Sequence, residues 1–96
     1  MRIIYLPSTK ADLRWFRQYY TRHFPEGQKR AREHYYAAVI MLSENPYSGK
    51  AIEMGEAREL AIPRTPFSLV YAIRNGQIEI IRLWDGRADR SFLDIR

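Results

Sequence analysis

The stretch that decides the fold runs from Glu56 to Arg90 and reads EARELAIPRTPFSLVYAIRNGQIEIIRLWDGRADR. At its centre, Asn75-Gly76 separates two runs that are rich in apolar and β-branched residues. A two-residue type I′ turn needs positive φ at both positions, and asparagine and glycine tolerate that conformation best. We therefore predict a β-hairpin with Asn75 and Gly76 at its tip.

The position of the turn also predicts which residues pair across the hairpin. Counting outward gives the pairs Arg74–Gln77, Ile73–Ile78, Tyr71–Ile80, Leu69–Arg82 and Phe67–Trp84. One face then carries Phe67, Leu69, Tyr71, Ile73, Ile78, Ile80 and Trp84, and the other carries Ser68, Val70, Ala72, Glu79, Ile81 and Leu83. Both faces are more apolar than a solvated sheet needs. We expect the helices to cover one face. We expect something else to cover part of the other face, and a partner protein is one candidate.

Two segments with helical spacing precede the hairpin. The first helix is predicted from about residue 11 to residue 23, because apolar side chains recur there at intervals of three and four: Leu13, Phe16, Tyr20 and Phe24. Ser8 or Thr9 would cap this helix, with Asp12 in the capping-box position. Pro25 and Gly27 should end it.

The second helix is predicted from about residue 28 to residue 44. Its apolar stripe consists of Ala31, Tyr35, Ala38 and Leu42. Asn45-Pro46 should end it, since the residue before a proline is disfavoured in the α conformation. Because only a short break separates the two helices, we expect them to form an antiparallel helical hairpin.

Three further segments have the composition of strands. Residues 2–6 are rich in β-formers, and residues 58–62 form a clear strand that Pro63 ends. Residues 50–54 are expected to form at most a frayed strand. The resulting order is β-α-α-β-β-β, an α+β fold with a helical hairpin packed on a twisted antiparallel sheet. The length of 96 residues suits one domain, so we assign residues 1–96 to it.

Composition excludes several classes of function. The chain has no cysteine, so disulfide and thiolate chemistry are excluded, and His23 and His34 lie on separate predicted helices without metal-ligand spacing. We expect no metal and no cofactor. No apolar run has the length of a membrane span, so we expect a cytoplasmic protein without a membrane partner. The net charge of +5 suits nucleic acid or an acidic protein segment, and charge alone does not choose between them.

Several short motifs occur in order along the chain. They are Asn45-Pro46 after the helical hairpin, Gly49, Arg58-Glu59-Leu60, Pro66-Phe67-Ser68-Leu69-Val70-Tyr71, and residues 80–87, which read IIRLWDGR. The ordered set resembles the RelE/ParE toxin superfamily, from Ile3 to about Asp89. This resemblance implies a small cytoplasmic toxin of a type II toxin–antitoxin pair, neutralised by an antitoxin whose acidic segment wraps it.

The superfamily has two branches with different targets. Its RelE-like members are ribosome-dependent mRNA endoribonucleases, and its ParE-like members act on DNA gyrase by protein contact. Where many nuclease relatives have a histidine, this chain has Asp85, and its tail RADRSFLDIR lacks the tyrosine or histidine of that branch. An aspartate is a poor general base unless its surroundings raise its pKa. The sequence therefore favours the ParE-like branch and an inhibitor of gyrase, with the mRNA endoribonuclease as the alternative. A third hypothesis is a degenerate member that binds an antitoxin or nucleic acid without toxicity.

Three sets of site residues follow from this interpretation. A metal-free nuclease would meet the charge of a phosphorane with Arg58, Arg82, Arg87 and Lys50. Target binding is predicted at Arg87, Arg90 and Trp84, and antitoxin binding at Val70, Ala72, Ile81 and Leu83. Each of these residues also has a structural alternative: Arg82 can pair with Glu59 or a carbonyl, and Trp84 can be a core residue.

Overall fold

The computed structural model describes residues 1–86, in which two helices pack on one face of a five-stranded sheet. The elements are β1 (Arg2–Tyr5), α1 (Thr9–His23), a short 3₁₀ turn (Pro25–Gly27), α2 (Gln28–Glu44), β2 (Lys50–Ala51), β3 (Arg58–Ala61), β4 (Phe67–Arg74) and β5 (Gln77–Asp85). The predicted α+β order is confirmed, and β2 is the short strand expected between residues 50 and 54. Neither helix in residues 1–86 is long and apolar enough to cross a membrane.

The sheet has the strand order β1-β5-β4-β3-β2. Strands β2 to β5 are antiparallel to their neighbours, but β1 lies parallel to β5, with Arg2 beside Gln77 and Tyr5 beside Ile80. The sheet is therefore mixed: the antiparallel arrangement predicted for the sheet is confirmed for β2 to β5, and the parallel strand β1 departs from it. The spacing of apolar residues in β1 indicates a strand but contains no information on the direction in which it pairs.

The hairpin turn has the predicted conformation. Asn75 has φ 53° and Gly76 has φ 71°, as a type I′ turn requires. The pairs Arg74–Gln77, Ile73–Ile78 and Tyr71–Ile80 are confirmed.

Beyond Tyr71 the predicted pairing is wrong, because β5 contains a bulge. The register shifts between Val70 and Tyr71, so that Ile81 is the extra residue of β5. Leu69 pairs with Leu83 instead of Arg82, Val70 pairs with Arg82, Ser68 pairs with Trp84, and Phe67 pairs with Asp85. Since one inserted residue reverses the alternation of side chains, Leu83 and Trp84 exchange the faces predicted for them.

The helices cover the face of the sheet that includes Tyr71. The main core, as we call this cluster, contains Phe16, Tyr19, Tyr20, Ala31, Ala38, Leu42, Ile62, Phe67, Leu69, Tyr71, Ile78, Ile80 and Leu83. The predicted stripe of α2 is confirmed, since Ala31, Ala38 and Leu42 are buried. The stripe of α1 is confirmed except at its end. Phe24, which was predicted to be buried, is 53% exposed, and Tyr19, which was not in the predicted stripe, is buried.

The start of α1 also differs from the prediction. The helix begins at Thr9, and its N-cap Ser8 forms no side-chain capping bond. The Ser8 hydroxyl instead donates to the carbonyl of Ile81 at 2.6 Å, and the Thr9 hydroxyl donates to the carbonyl of Leu6 at 2.6 Å. Asp12 accepts hydrogen bonds from β5, so the predicted capping box was wrong.

We expect Gly76→Val to lower the free energy of unfolding by about 1–3 kcal/mol, because a β-branched residue is strained at positive φ. A Cβ at Gly76 would meet no atom within 4 Å, so the loss would come from the backbone alone. Thermal unfolding measures it. Gly27→Ala is the control, since Gly27 has φ −91° and a Cβ there makes only ordinary contacts. Equal melting temperatures for Gly76→Val and the native chain would contradict the assigned turn.

Candidate functional site

Arg82, a candidate for phosphate binding, is held by a carboxylate of α1. Its Nε and Nη2 donate to the two oxygens of Asp12 at 2.6 and 2.9 Å, in a bidentate arrangement. Its guanidinium also lies 5.4 Å from the ring centre of Trp84. The hydrogen bond to Asp12 raises the pKa of Arg82, and partial burial opposes this only in part. The arginine therefore stays charged in the folded chain until the pH exceeds its ordinary, already high pKa.

The same carboxylate satisfies the backbone of β5 where β1 no longer covers it. Strand β1 pairs with β5 only as far as Ile80, so the residues that follow have a free edge. There the N–H of Leu83 donates to Asp12 at 3.0 Å, and the carbonyl of Ile81 accepts from Ser8. Side chains from the start of α1 thus take the place of a neighbouring strand. They form the hydrogen bonds that these backbone groups of β5 would otherwise lack.

Arg58, the second candidate, is held by the turn between α2 and β2. Its Nε donates to the carbonyl of Gly49 at 2.9 Å, and its guanidinium lies 5.3 Å from the ring centre of Tyr47. The Tyr71 hydroxyl donates to the carbonyl of Pro46 at 2.7 Å and accepts from the N–H of Gly49 at 2.9 Å. A Cβ at position 49 would lie 2.7 Å from that hydroxyl, so only glycine allows this approach.

The structure does not bring Arg58 and Arg82 onto one surface of the sheet. Arg58 pairs with Tyr71 and Arg82 pairs with Val70, which are consecutive residues of β4. Paired residues share a face and consecutive residues alternate, so the two arginines leave the sheet on opposite faces. A single phosphorane needs its charge partners converging on one point.

The face of the sheet away from the helices is covered by the chain itself. Val70, Trp84 and Ala57 form a second cluster there, and Ile52, Met54 and Ile81 pack against it. The expected second cover therefore comes in large part from the segment between β2 and β3. Of the predicted antitoxin-binding residues, Val70, Ala72 and Leu83 are buried, and Ile81 is half-buried. Leu83 belongs to the main core because of the bulge.

The remaining predicted site residues lie in different surroundings. Lys50 is exposed on the edge strand β2, and Trp84 is a buried member of the second cluster. The Asp85 carboxylate accepts from the indole N–H of Trp15 at 3.3 Å. Arg87 and Arg90 lie outside the described residues. Within residues 1–86, no three His, Cys, Asp or Glu side chains are grouped so that they could hold a metal ion.

Sequence reasoning missed Asp12 as the partner of Arg82. The contact joins residues 70 positions apart, whereas the sequence suggested Glu59 or a carbonyl as the partner. Asp12 stands three residues after Thr9, so its position predicted a capping role at the start of the first helix. The sign in the sequence was an acidic residue, Asp12, in the first turn of a helix, together with an arginine, Arg82, in a predicted strand.

Comparison with known proteins identifies the family. A model of the family described as ParE toxin of type II toxin-antitoxin system, parDE, matches residues 3–90. The chain belongs to this family. No curated protein sequence matches.

A solved structure supports the same assignment at the level of fold. The chromosomal ParDE toxin–antitoxin system from P. aeruginosa contains a chain that is 24% identical and superposes with a TM-score of 0.68. The match covers 86% of this chain and 92% of that chain. The likeness shows that the two chains share a fold.

We expect Asp12→Ala to lower the free energy of unfolding by about 1–3 kcal/mol, because it removes the carboxylate that accepts from the N–H of Leu83 and from the guanidinium of Arg82. For a chain of this length, each kcal/mol corresponds to a fall in melting temperature of roughly 4–8 °C. Asp12→Asn should lose less, since an amide oxygen can still accept from Leu83. Glu33→Ala, at an exposed position of α2, is the control. If both Asp12 variants melt like this control, Asp12 does not hold α1 on β5.

Proposed function

We propose that this chain is the toxin of a type II toxin–antitoxin pair that inhibits DNA gyrase by protein contact. The ParE family match supports the toxin class. The resemblance of Arg58-Glu59-Leu60 and residues 66–71 to the ParE-like branch supports gyrase as the target. The observation that carries the mechanism is the separation of Arg58 and Arg82 onto opposite faces, because it favours contact over catalysis on a phosphate.

The arrangement of possible proton carriers also favours contact. Asp85 already accepts from Trp15, and burial together with the hydrogen bond to Tyr5 raises the pKa of Tyr35. Near neutral pH, Tyr35 is therefore deprotonated even less often than an ordinary tyrosine, which makes it a poor candidate for the general base. The alternative, a ribosome-dependent mRNA endoribonuclease, would need Lys50 and the residues beyond Gly86 to supply the missing chemistry.

Gyrase is proposed to meet the end of the sheet that leads into the tail. Arg87 and Arg90 are the proposed contact residues, together with Trp84. Arginine suits this role because its planar fork recognises carboxylates with defined geometry. The burial of Trp84 favours a supporting role over direct stacking on the target.

The proposed partner in the cell is a cognate antitoxin with an acidic, amphipathic segment. The net charge of +5 would speed its association, and apolar contacts would hold it. Its proposed site remains the one predicted from Val70, Ala72, Ile81 and Leu83, although Leu83 lies on the opposite face of the sheet, in the main core. Because three of these residues are buried, Ile81 is the side chain through which the segment would make first contact.

Purified toxin should inhibit the supercoiling activity of gyrase and should leave ribosome-bound mRNA uncut. Both activities can be measured on the same preparation, with supercoiling on relaxed plasmid and cleavage by primer extension. Lys50→Ala removes a candidate nuclease residue from an exposed position, so it should fold normally and inhibit supercoiling as the native chain does.

Codon-specific mRNA cuts would contradict this proposal if Lys50→Ala or Arg58→Ala removed them without lowering the melting temperature. The Arg58 variant needs that control because Arg58 also holds the turn at Gly49. Inhibition of gyrase without cuts would support the contact mechanism.

For the antitoxin, we expect Ile81→Asp to weaken binding at least about tenfold, as loss of an apolar anchor does at interface centres. Ile73→Asp is the matched control, because Ile73 is equally half-buried but packs against the main core. Isothermal titration calorimetry with the purified antitoxin measures both. Equal affinities for the two variants, each shown to be folded, would place the antitoxin on another surface.

A further inference from the structure

A cleft lies at the closed end of the helical hairpin, away from every residue assigned above. It is bounded by the end of α1, the start of α2 and the loop between β3 and β4, and it has a volume of about 380 Å³. The side chains that give it its chemistry are Tyr19, Tyr20, Phe24, Arg30, His34 and Arg64. Its size falls within the range of sites for small organic ligands.

The cleft brings together two arginines and a histidine without a carboxylate beside them in the described residues. Arg30 and His34 come from α2 and Arg64 comes from the loop, and no carboxylate lines the cleft within residues 1–86. In that part of the chain neither Arg30 nor Arg64 forms an ion pair. The first turn of α2 contains no acidic residue, although the helix dipole favours negative charge there. An anion in the cleft would therefore be attracted both by the arginines and by the N-terminal end of α2.

The loop fixes the backbone conformation of Arg64. Its backbone has φ 62°, in the left-handed region that non-glycine residues seldom adopt. The neighbouring Thr65 hydroxyl donates to the carbonyl of Ile62 at 2.9 Å and accepts from the N–H of Phe67 at 3.1 Å. Backbone outliers that are held by their surroundings in this way cluster at binding sites. The backbone that carries Arg64 is therefore braced before any ligand arrives.

An aromatic ring stands beside these cations. Phe24 is 53% exposed, although its position in the apolar stripe of α1 predicts burial. Its ring centre lies 6.0 Å from that of Tyr19, which is buried and supports it. An exposed aromatic face next to arginines is the arrangement with which proteins stack a nucleobase and hold its phosphate.

We propose that this cleft binds a nucleotide. The phosphate is held by Arg30, His34 and Arg64, and the base stacks on Phe24. The aromatic ring favours a nucleotide over a simple inorganic anion, and the small volume favours a single nucleotide over an extended acidic peptide. The proposal is independent of the gyrase target, because none of these residues belongs to the sites assigned to the target or the antitoxin.

Isothermal titration calorimetry of the full chain with AMP tests the site, with adenosine and inorganic phosphate as the two component probes. AMP should bind with one-to-one stoichiometry and more tightly than either component. Arg30→Gln and Arg64→Gln should each weaken AMP at least about tenfold. Arg22→Gln removes the same charge from an exposed position of α1 outside the cleft, and should change affinity less than about twofold.

Phe24→Ala separates the two parts of the proposal. It should weaken AMP about tenfold and leave inorganic phosphate unchanged, because only the base stacks on the ring. Absence of saturable AMP binding, or equal losses in Arg22→Gln and Arg64→Gln variants of native melting temperature, would overturn the site. Phosphate binding as tightly as AMP would overturn the nucleotide assignment. Binding of an octaglutamate peptide or a single-stranded oligonucleotide that AMP does not displace would overturn it in favour of a polymeric partner.

Discussion

The fold depends on one carboxylate, that of Asp12, which joins the first helix to the last strand. It receives the fork of Arg82 and the backbone N–H of Leu83, and so closes the part of β5 that β1 leaves uncovered. Without this contact the N–H of Leu83 would lack its acceptor, and the guanidinium of Arg82 would lose its bidentate ion pair. The bulge at Ile81 lies next to it, and both features place Leu83 in the main core.

Much of this architecture could be predicted from local pattern. The second helix, the type I′ turn and the inner half of the hairpin follow from residue spacing and from the φ preference of Asn75-Gly76, and the structure confirms them. The bulge, the parallel pairing of β1 and the role of Asp12 could not be predicted. Each depends on which distant groups meet after folding, and neither periodicity nor turn chemistry contains that information.

The candidate site was less predictable than the fold for a related reason. Composition identifies arginines that suit phosphate, but their availability depends on whether the chain already supplies an acceptor. Here Gly49 and Asp12 supply acceptors for Arg58 and Arg82, whereas Arg30 and Arg64 line a cleft without a carboxylate in residues 1–86. Arg64 lies in a loop between two prolines, where sequence pattern predicts only a turn.

The parallel pairing of β1 with β5 has a consequence for the order in which the newly made protein folds. Arg2 pairs with Gln77, so β1 leaves the ribosome before both helices and strands β2 to β4, and it cannot pair until β5 has been synthesised. Contacts between such distant parts of a chain are slow to form, because a long loop must close before they give any stability. The helical hairpin can form early, but the sheet cannot be completed during translation until β5 emerges. The surface of the finished sheet is therefore absent from the nascent chain until β5 has been made.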